Sequence, residues 1–238
     1  TPTLSSAASD VYKRQSSIDA GIIIRRVVFF ILLIGLSLLY LLVTFRGLDS
    51  PNGMDQAQIA REIARNKSFT TKVLRPVSVW QNGEIREAEP VIKNSNRDTY
   101  HAPLHPVLLS WALKLVGGDD ADKWRMTETD TVYKLDRVIA ATAVICFLMA
   151  IGVNYLLISR IFDPKIGGVT ALLMLLCDLN WKFSQTGLPQ MFMLLLFSCA
   201  CLFAYKAIEA SSEGRIALIP ALLAAAFLGL LALTHWLA

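Results

Sequence analysis

Charged residues are scarce in this sequence. They make up 18% of its 238 residues, and 23 basic against 19 acidic side chains leave a net charge of only +4. A charge this small and dispersed argues against a nucleic-acid partner. The apolar fraction is 54%, and most of it falls in a few long runs, which excludes a soluble enzyme and a disordered chain.

Cysteines are few as well. The chain has four, and all of them lie in apolar runs, which is typical of small buried side chains and excludes a disulfide scaffold. Cys199 and Cys201 stand two residues apart on a predicted helix, so they point in different directions and do not form a metal site.

The first fifteen residues do not read as part of the protein. Ser5 to Gln15 match the translation of a transposon-based sequencing adapter, with a short polar tail as the alternative. The sequence also stops at Ala238, in the middle of an apolar run. We therefore expect residues 16–238 to be the N-terminal part of a longer membrane protein.

The apolar runs predict an all-α polytopic membrane protein, because a helix needs about 20 apolar residues to cross the hydrocarbon layer. Basic residues flank alternate ends of the runs, which orients them by the positive-inside rule. Residues 46–134 then form a large mixed α/β loop outside the cytoplasm, between the first two spans. About five transmembrane helices are expected, over residues 22–45, 138–158, 166–183, 188–204 and 216–238, the last one truncated.

The large loop opens with a predicted amphipathic helix at the membrane surface. Asp55 lies in its first turn, where a carboxylate is favoured by the helix dipole, and N-terminal capping is the alternative to a functional role. Strand-like stretches at 70–79 and 84–91 flank Asn82-Gly83, a strong hairpin signal.

A proline-rich turn, Tyr100 to Pro106, follows and leads into an apolar helix. His101 and His105 in this turn favour hydrogen bonding or substrate contact. Metal binding is the weaker interpretation, since a spacing of four across two prolines is not helical, and a purely structural turn stays open.

Polar residues also occur near the outer ends of the predicted spans, where ionisable groups are costly and often functional. Asp178 lies in the third span, unless that span ends early and leaves the residue at the interface. Gln190 closes the short turn between spans three and four, and His235 lies in the fifth span. All of these groups share the non-cytoplasmic face with the large loop.

The order of these features resembles the C-type (GT-C) superfamily of integral membrane glycosyltransferases, in the branch of protein O-mannosyltransferases and aminoarabinose transferases. The likeness rests on Met54-Asp55-Gln56 in the loop helix and on His101-Ala102-Pro103-Leu104-His105-Pro106 before the next helix. It also rests on the pattern after span two, ISRIFDPKIGGVTALLMLL and then SQTGLPQMFMLLLF, and it covers residues 20–238.

The resemblance implies an inverting transfer of a sugar from a polyprenyl-phosphate carrier to a lipid, glycan or protein acceptor, on the outer face of a bacterial inner membrane. It implies Asp55 as the general base. Cations or donors would stabilise the leaving phosphate. Together with the polar groups named above, the candidate substrate-binding residues are Gln56, Arg75, Tyr100, His101, His105, Arg137, Asp178, Gln190 and His235.

Two positions depart from the family pattern. Gln56 replaces the second acid of the usual Asp-Glu pair, and Gln190 replaces an acidic residue often found in the outer turn. No metal ligand is therefore assigned, and the need for a divalent cation is left open. A transporter or flippase, and an inactive GT-C-like membrane subunit, are the alternative functions. Solute flux without glycosidic product would identify the first, and donor binding without turnover the second.

Overall fold

The computed structural model describes residues 24, 27–28, 30–65, 68–73, 76, 96–118, 124 and 132–235. The chain divides into two compact units, residues 1–43 and 44–238. In the first unit, most of the described residues belong to the apolar helix α1 (Phe30–Thr44). Ser37 lies within it and donates its hydroxyl to the Leu33 carbonyl at 2.7 Å, so that its polar group is satisfied inside the helix.

The second unit is mainly helical. Its elements in chain order are α2 (Pro51–Ala64), β1 (Thr70–Thr71), β2 (Asn96–Arg97), α3 (Leu104–Gly117), α4 (Lys134–Ile161), α5 (Pro164–Leu176), α6 (Asp178–Gln185), α7 (Gln190–Ser212) and α8 (Leu218–Thr234). Helix α4 packs against α5, α6 and α7, and α7 packs against α8. Helix α2 packs on α3, which in turn contacts α4 and α8. The core is centred on α4, where Phe147 and Val144 are fully buried.

Two described helices, α4 and α7, are long and apolar enough to cross a membrane, and α5 with α6 makes a third if this bent pair is one span. Helices α1, α3 and α8 are apolar but shorter in the described residues. The helical fold class is confirmed.

The third apolar run is not one straight helix. Helices α5 and α6 are bent by 54° at Cys177, whose backbone is extended. Side chains just beyond the break satisfy carbonyls that the helix leaves open. Asn180 Nδ2 donates to the Met174 carbonyl at 3.1 Å, and Trp181 Nε1 donates to the Leu175 carbonyl at 2.7 Å. Residues 178–185 therefore turn away from the axis of α5. This bend is compatible with the alternative in which the third span ends before Asp178.

The only sheet among the described residues is the antiparallel pair β1–β2, with Thr70 opposite Arg97 and Thr71 opposite Asn96. The strand predicted over 70–79 ends at Thr71 in this structure. The Asn82-Gly83 turn and the predicted strand 84–91 lie outside the described residues. Strand β2, which the sequence did not indicate, ends one residue before Asp98 and so positions the turn that carries His101.

Candidate functional site

Two glycines hold the start of α2 against the turn between α6 and α7. A Cβ atom added at Gly53 would lie 1.9 Å from the Thr186 carbonyl oxygen, so only glycine allows this approach. Gly187 has a φ of +75°, and a Cβ there would lie 3.1 Å from the Leu48 side chain. This backbone contact brings Gln56 on α2 near Gln190 at the start of α7.

A cavity of about 600 Å³ lies beside this contact. Its walls come from α2, from the segment after β2, from the start of α7 and from the end of α8. Five of the residues predicted from the sequence line it, namely Gln56, Tyr100, His101, Gln190 and His235. The structure thus brings together groups from four separate parts of the chain. The Gln190 Oε1 atom is buried here and has no hydrogen-bond partner in the described part of the chain.

Asp55 is buried next to the lining residue Gln56, with 5% of its surface exposed, and it does not itself line the cavity. Its Oδ1 accepts a hydrogen bond from the Thr71 hydroxyl at 2.6 Å, and its Oδ2 lies 3.8 Å from His101 Nδ1. The prediction that Asp55 lies in the first turn of its helix is wrong. Helix α2 begins at Pro51, whose fixed φ suits the first helical position, and this makes Asp55 the fifth residue and rules out N-terminal capping.

His101 is held by a second carboxylate. Asp98 Oδ2 accepts a hydrogen bond from the His101 backbone N–H at 3.0 Å and lies 3.0 Å from His101 Nδ1. The backbone N–H of Asp98 donates to the Phe69 carbonyl at 3.3 Å, which ties this turn to the chain just before β1. His101 Nε2 is buried and has no hydrogen-bond partner among the described residues.

His105 interacts with the glutamine next to Asp55. Its Nδ1 lies 2.5 Å from Gln56 Oε1, and its ring is tilted against Phe192 at a centroid distance of 6.5 Å. Burial, together with repulsion from His101 when that ring is protonated, lowers the pKa of His105 from 6.5 to about 3. His105 is therefore neutral at physiological pH, and it fixes the Gln56 side chain instead of carrying a positive charge.

The remaining predicted residues lie elsewhere. Asp178 is exposed at the start of α6 and forms an ion pair of 2.7 Å with Lys182, one turn along the same helix. Arg137 is half-buried in the first turn of α4, and its Nε atom is buried without a hydrogen-bond partner in the part of the chain that is described. Neither residue is among those that line the cavity. Arg75 lies outside the described residues.

A second cavity, of about 400 Å³, lies further along α2 and was not predicted. The Arg61 guanidinium lies 4.8 Å above the Tyr133 ring and pairs with Asp136, and the Arg65 guanidinium lies 5.2 Å above the Trp124 ring. These contacts hold both arginines against aromatic faces, an arrangement that packs α2 against the start of α4.

Three further residues of the site were missed. Thr71 and Asp98 hold the two ends of the Asp55–His101 pair, and Gly53 allows the close approach that forms the cavity. The Asp98-Thr99-Tyr100-His101 string carried a usable signal, because an aspartate side chain often accepts from backbone N–H groups two or three residues ahead. The contacts of Thr71 with Asp55 and of Gly53 with Thr186 join distant parts of the chain, so no local sequence pattern indicates them.

Metal ligation has no support in these residues. In the described ranges there is no group of three or more His, Cys, Asp or Glu side chains that could hold a metal ion. In comparisons with known proteins, the chain matches no family model, no curated protein and no solved structure.

Proposed function

We propose that this protein is an inverting membrane glycosyltransferase that moves a sugar from a polyprenyl-phosphate donor to a lipid, glycan or protein hydroxyl. The observation that carries the proposal is the cavity lined by Gln56, His101 and Gln190, with the buried carboxylate of Asp55 3.8 Å from the His101 ring. Pockets that combine a few convergent polar groups with buried ionisable residues are the usual sites of binding and catalysis.

The chemistry assigned to this cavity is a single displacement. The acceptor hydroxyl loses its proton as its oxygen attacks the anomeric carbon, and the bond from that carbon to the phosphate oxygen breaks. Asp55 is the carboxylate on which proton removal depends. The Gln56 and Gln190 amides suit hydrogen bonds to sugar hydroxyls, since an amide both donates and accepts.

The departing phosphate needs positive charge or hydrogen-bond donors. His235 lines the same cavity and is positioned to donate. Arg137, whose buried Nε has no hydrogen-bond partner among the described residues, and Arg75 are the cationic candidates that the resemblance implies.

The proposed membrane arrangement has five spans, with the cavity at the outer surface and residues 46–134 forming the outer loop. Large apolar side chains on the outside of the helices support contact with lipid. Leu115 on α3 is 87% exposed, Ile216 before α8 is 84% exposed, and Trp111 is 69% exposed. A site at this depth lets the donor keep its polyprenyl tail in hydrocarbon while its sugar enters the cavity.

The test is transfer of radiolabelled sugar from a polyprenyl-phosphate donor by the full-length protein and its Asp55→Asn variant in liposomes. Removing a group that controls proton transfer typically costs 10²- to 10⁴-fold, so we expect a loss of at least about 100-fold. The matched control is Glu209→Gln, which neutralises a half-exposed carboxylate paired with Arg160 at 3.5 Å. Equal transfer by the Asp55→Asn variant and the wild type would refute the proposal.

A second candidate function is a sugar-lipid-binding subunit without catalytic activity. It is favoured by the placement of Asp55, which does not itself line the cavity, and by the glutamines at positions 56 and 190. In that case the full-length protein would bind the donor and form no product at any enzyme concentration, and the Asp55→Asn variant would bind the donor equally well.

A further inference from the structure

We infer that His101 Nε2 is the atom that receives the acceptor proton, and that Asp98 and Asp55 together orient the imidazole and stabilise its charged form. This inference rests on the proposed function and assigns the route of the proton within that same site. It differs from direct abstraction by Asp55, whose carboxylate does not reach the cavity wall.

The first step of the argument is the tautomer of His101. Its Nδ1 lies 3.0 Å from Asp98 Oδ2 and 3.8 Å from Asp55 Oδ2. An ionised carboxylate only accepts hydrogen bonds, so the ring proton belongs on Nδ1. The lone pair of a neutral imidazole is then on Nε2, and an atom with a free lone pair is what a general base requires.

The second step is the environment of Nε2. His101 lines the cavity with its side chain 5% exposed, and Nε2 has no hydrogen-bond partner in the described part of the chain. A buried hydrogen-bond acceptor without a partner raises the free energy of the folded state. A substrate hydroxyl that donates to Nε2 would remove this penalty. Nε2 is shielded from bulk water, so the hydroxyl reaches it after side chains at the cavity wall rotate, a common adjustment on binding.

The third step is charge. When Nε2 takes the proton, the imidazolium faces Asp98 from its own turn and Asp55 from α2. Among the described residues, the titratable groups that approach from other elements are His105 on α3, which burial keeps neutral, and His235 at the end of α8. The positive charge is therefore formed beside two buried carboxylates, which stabilise the state reached during proton transfer.

The reaction is balanced as follows. The acceptor O–H bond breaks and its proton passes to His101 Nε2, while the acceptor oxygen forms a bond to the anomeric carbon. The bond between that carbon and the phosphate oxygen breaks, and the phosphate leaves with the electron pair. Proton loss from the imidazolium to water returns His101 to its starting state.

The first test is spectroscopic and needs no substrate. Uniform ¹⁵N-histidine labelling of the full-length protein in nanodiscs reports on each imidazole, and the signals that disappear in the His101→Gln variant are those of His101. We expect His101 to carry its proton on Nδ1 and to show an unprotonated Nε2. In Asp98→Asn the new amide can donate to Nδ1, so the proton should move to Nε2. A proton on Nε2 in the wild type would overturn the inference.

The second test is kinetic. In His101→Gln and in Asp98→Asn we expect kcat to fall at least about 100-fold, with the Kd for polyprenyl phosphate changed less than about threefold. Both enzyme variants would still bind the carrier, which separates a catalytic defect from unfolding.

The outcomes separate the two proposals. If His101→Gln keeps kcat within about threefold of the wild type while Asp55→Asn is inactive, the proton goes directly to Asp55 and only the present inference fails. If the wild type forms no product at all, the proposed function fails and the catalytic role of His101 fails with it.

Discussion

Asp55 and Asp178 are both carboxylates that the sequence marked as functional candidates, and the structure places them in very different surroundings. Asp55 is 5% exposed and is held between Thr71 and His101, which come from separate parts of the chain. The side chain of Asp178 is 71% exposed, and it forms an ion pair with Lys182 of its own helix. The position of a buried carboxylate with partners from distant segments depends on the whole fold. An exposed ion pair within one helix contributes little to the stability of the folded state.

The difference teaches which kind of polar residue is worth testing in an apolar chain. Both residues are acidic and both follow an apolar or turn segment, so hydropathy does not distinguish them. The close packing at Gly53 forms a cavity near Asp55. The helix break at Cys177 leaves Asp178 on the exposed surface of the next helix.

The largest loss of stability and activity is expected from Gly53→Ala, because the added methyl group would sterically disrupt the packing around the buried Asp55 site. The added methyl group would meet the Thr186 carbonyl, a backbone atom that cannot rotate away. We expect a loss of stability of about 1–3 kcal/mol or more and a loss of sugar transfer of at least about tenfold. The measurements are thermal unfolding in detergent and the transfer assay.

The matched control is Gly152→Ala in α4, where an added Cβ meets nothing within 4 Å. Helix propensity alone favours alanine by about 0.5–1 kcal/mol at both sites. Similar stability changes in the two variants would show that the close contact at Gly53 does not form.

The next effect concerns pH. The folded-state pKa of His105 is about 3, against 6.5 for the unfolded chain, so between these values the unfolded state binds the proton and the folded state does not. Stability should therefore fall as the pH decreases from 6.5 toward 3, by up to about 1.4 kcal/mol for each pH unit.

This loss is measured by thermal unfolding between pH 7 and pH 4.5, comparing the wild type with His105→Gln. Glutamine does not titrate, so the variant should show the smaller pH dependence, while protonation of the carboxylates affects both proteins alike. An identical pH dependence in the two proteins would mean that His105 is accessible to solvent and charged.

The smallest effect is expected from Asp178→Asn. An exposed i,i+4 ion pair is worth about 0.3–0.5 kcal/mol, so stability should change by no more than that. Sugar transfer should stay within about twofold of the wild type, because the residue does not line the cavity. A loss approaching that of Asp55→Asn would show that Asp178 contacts substrate after all, and would remove the contrast between the two residues.

The sequence predicted the helices well where apolar runs or helical periodicity were strong. Helix α4 covers the predicted span 138–158, α7 covers all but the first two residues of the predicted span 188–204, and α2 follows from the spacing of its apolar residues. The predicted helix, with Asp55 in its first turn, began too late, because α2 already starts at Pro51 and proline is favoured at the first position of a helix. The break at Cys177 depends on Asn180 and Trp181, whose hydrogen bonds to α5 leave no trace in hydropathy.

The cavity was predicted as a list of residues and not as a geometry. Gln56, Tyr100, His101, Gln190 and His235 were all marked because they are polar groups on one face of an apolar chain. Their common location depends on the contact between Gly53 and Thr186 and on the pairing of β1 with β2, which join segments far apart in sequence. Contacts of this kind require the folded chain.

The most direct measurement is a cryo-EM structure of the full-length protein with a non-transferable polyprenyl-phosphate sugar. The account predicts that the sugar lies between Gln56 and Gln190, with its anomeric carbon facing His101 and its lipid tail along the apolar helices. Density for the sugar at the Arg61–Tyr133 cavity, or at any site remote from His101, would contradict it.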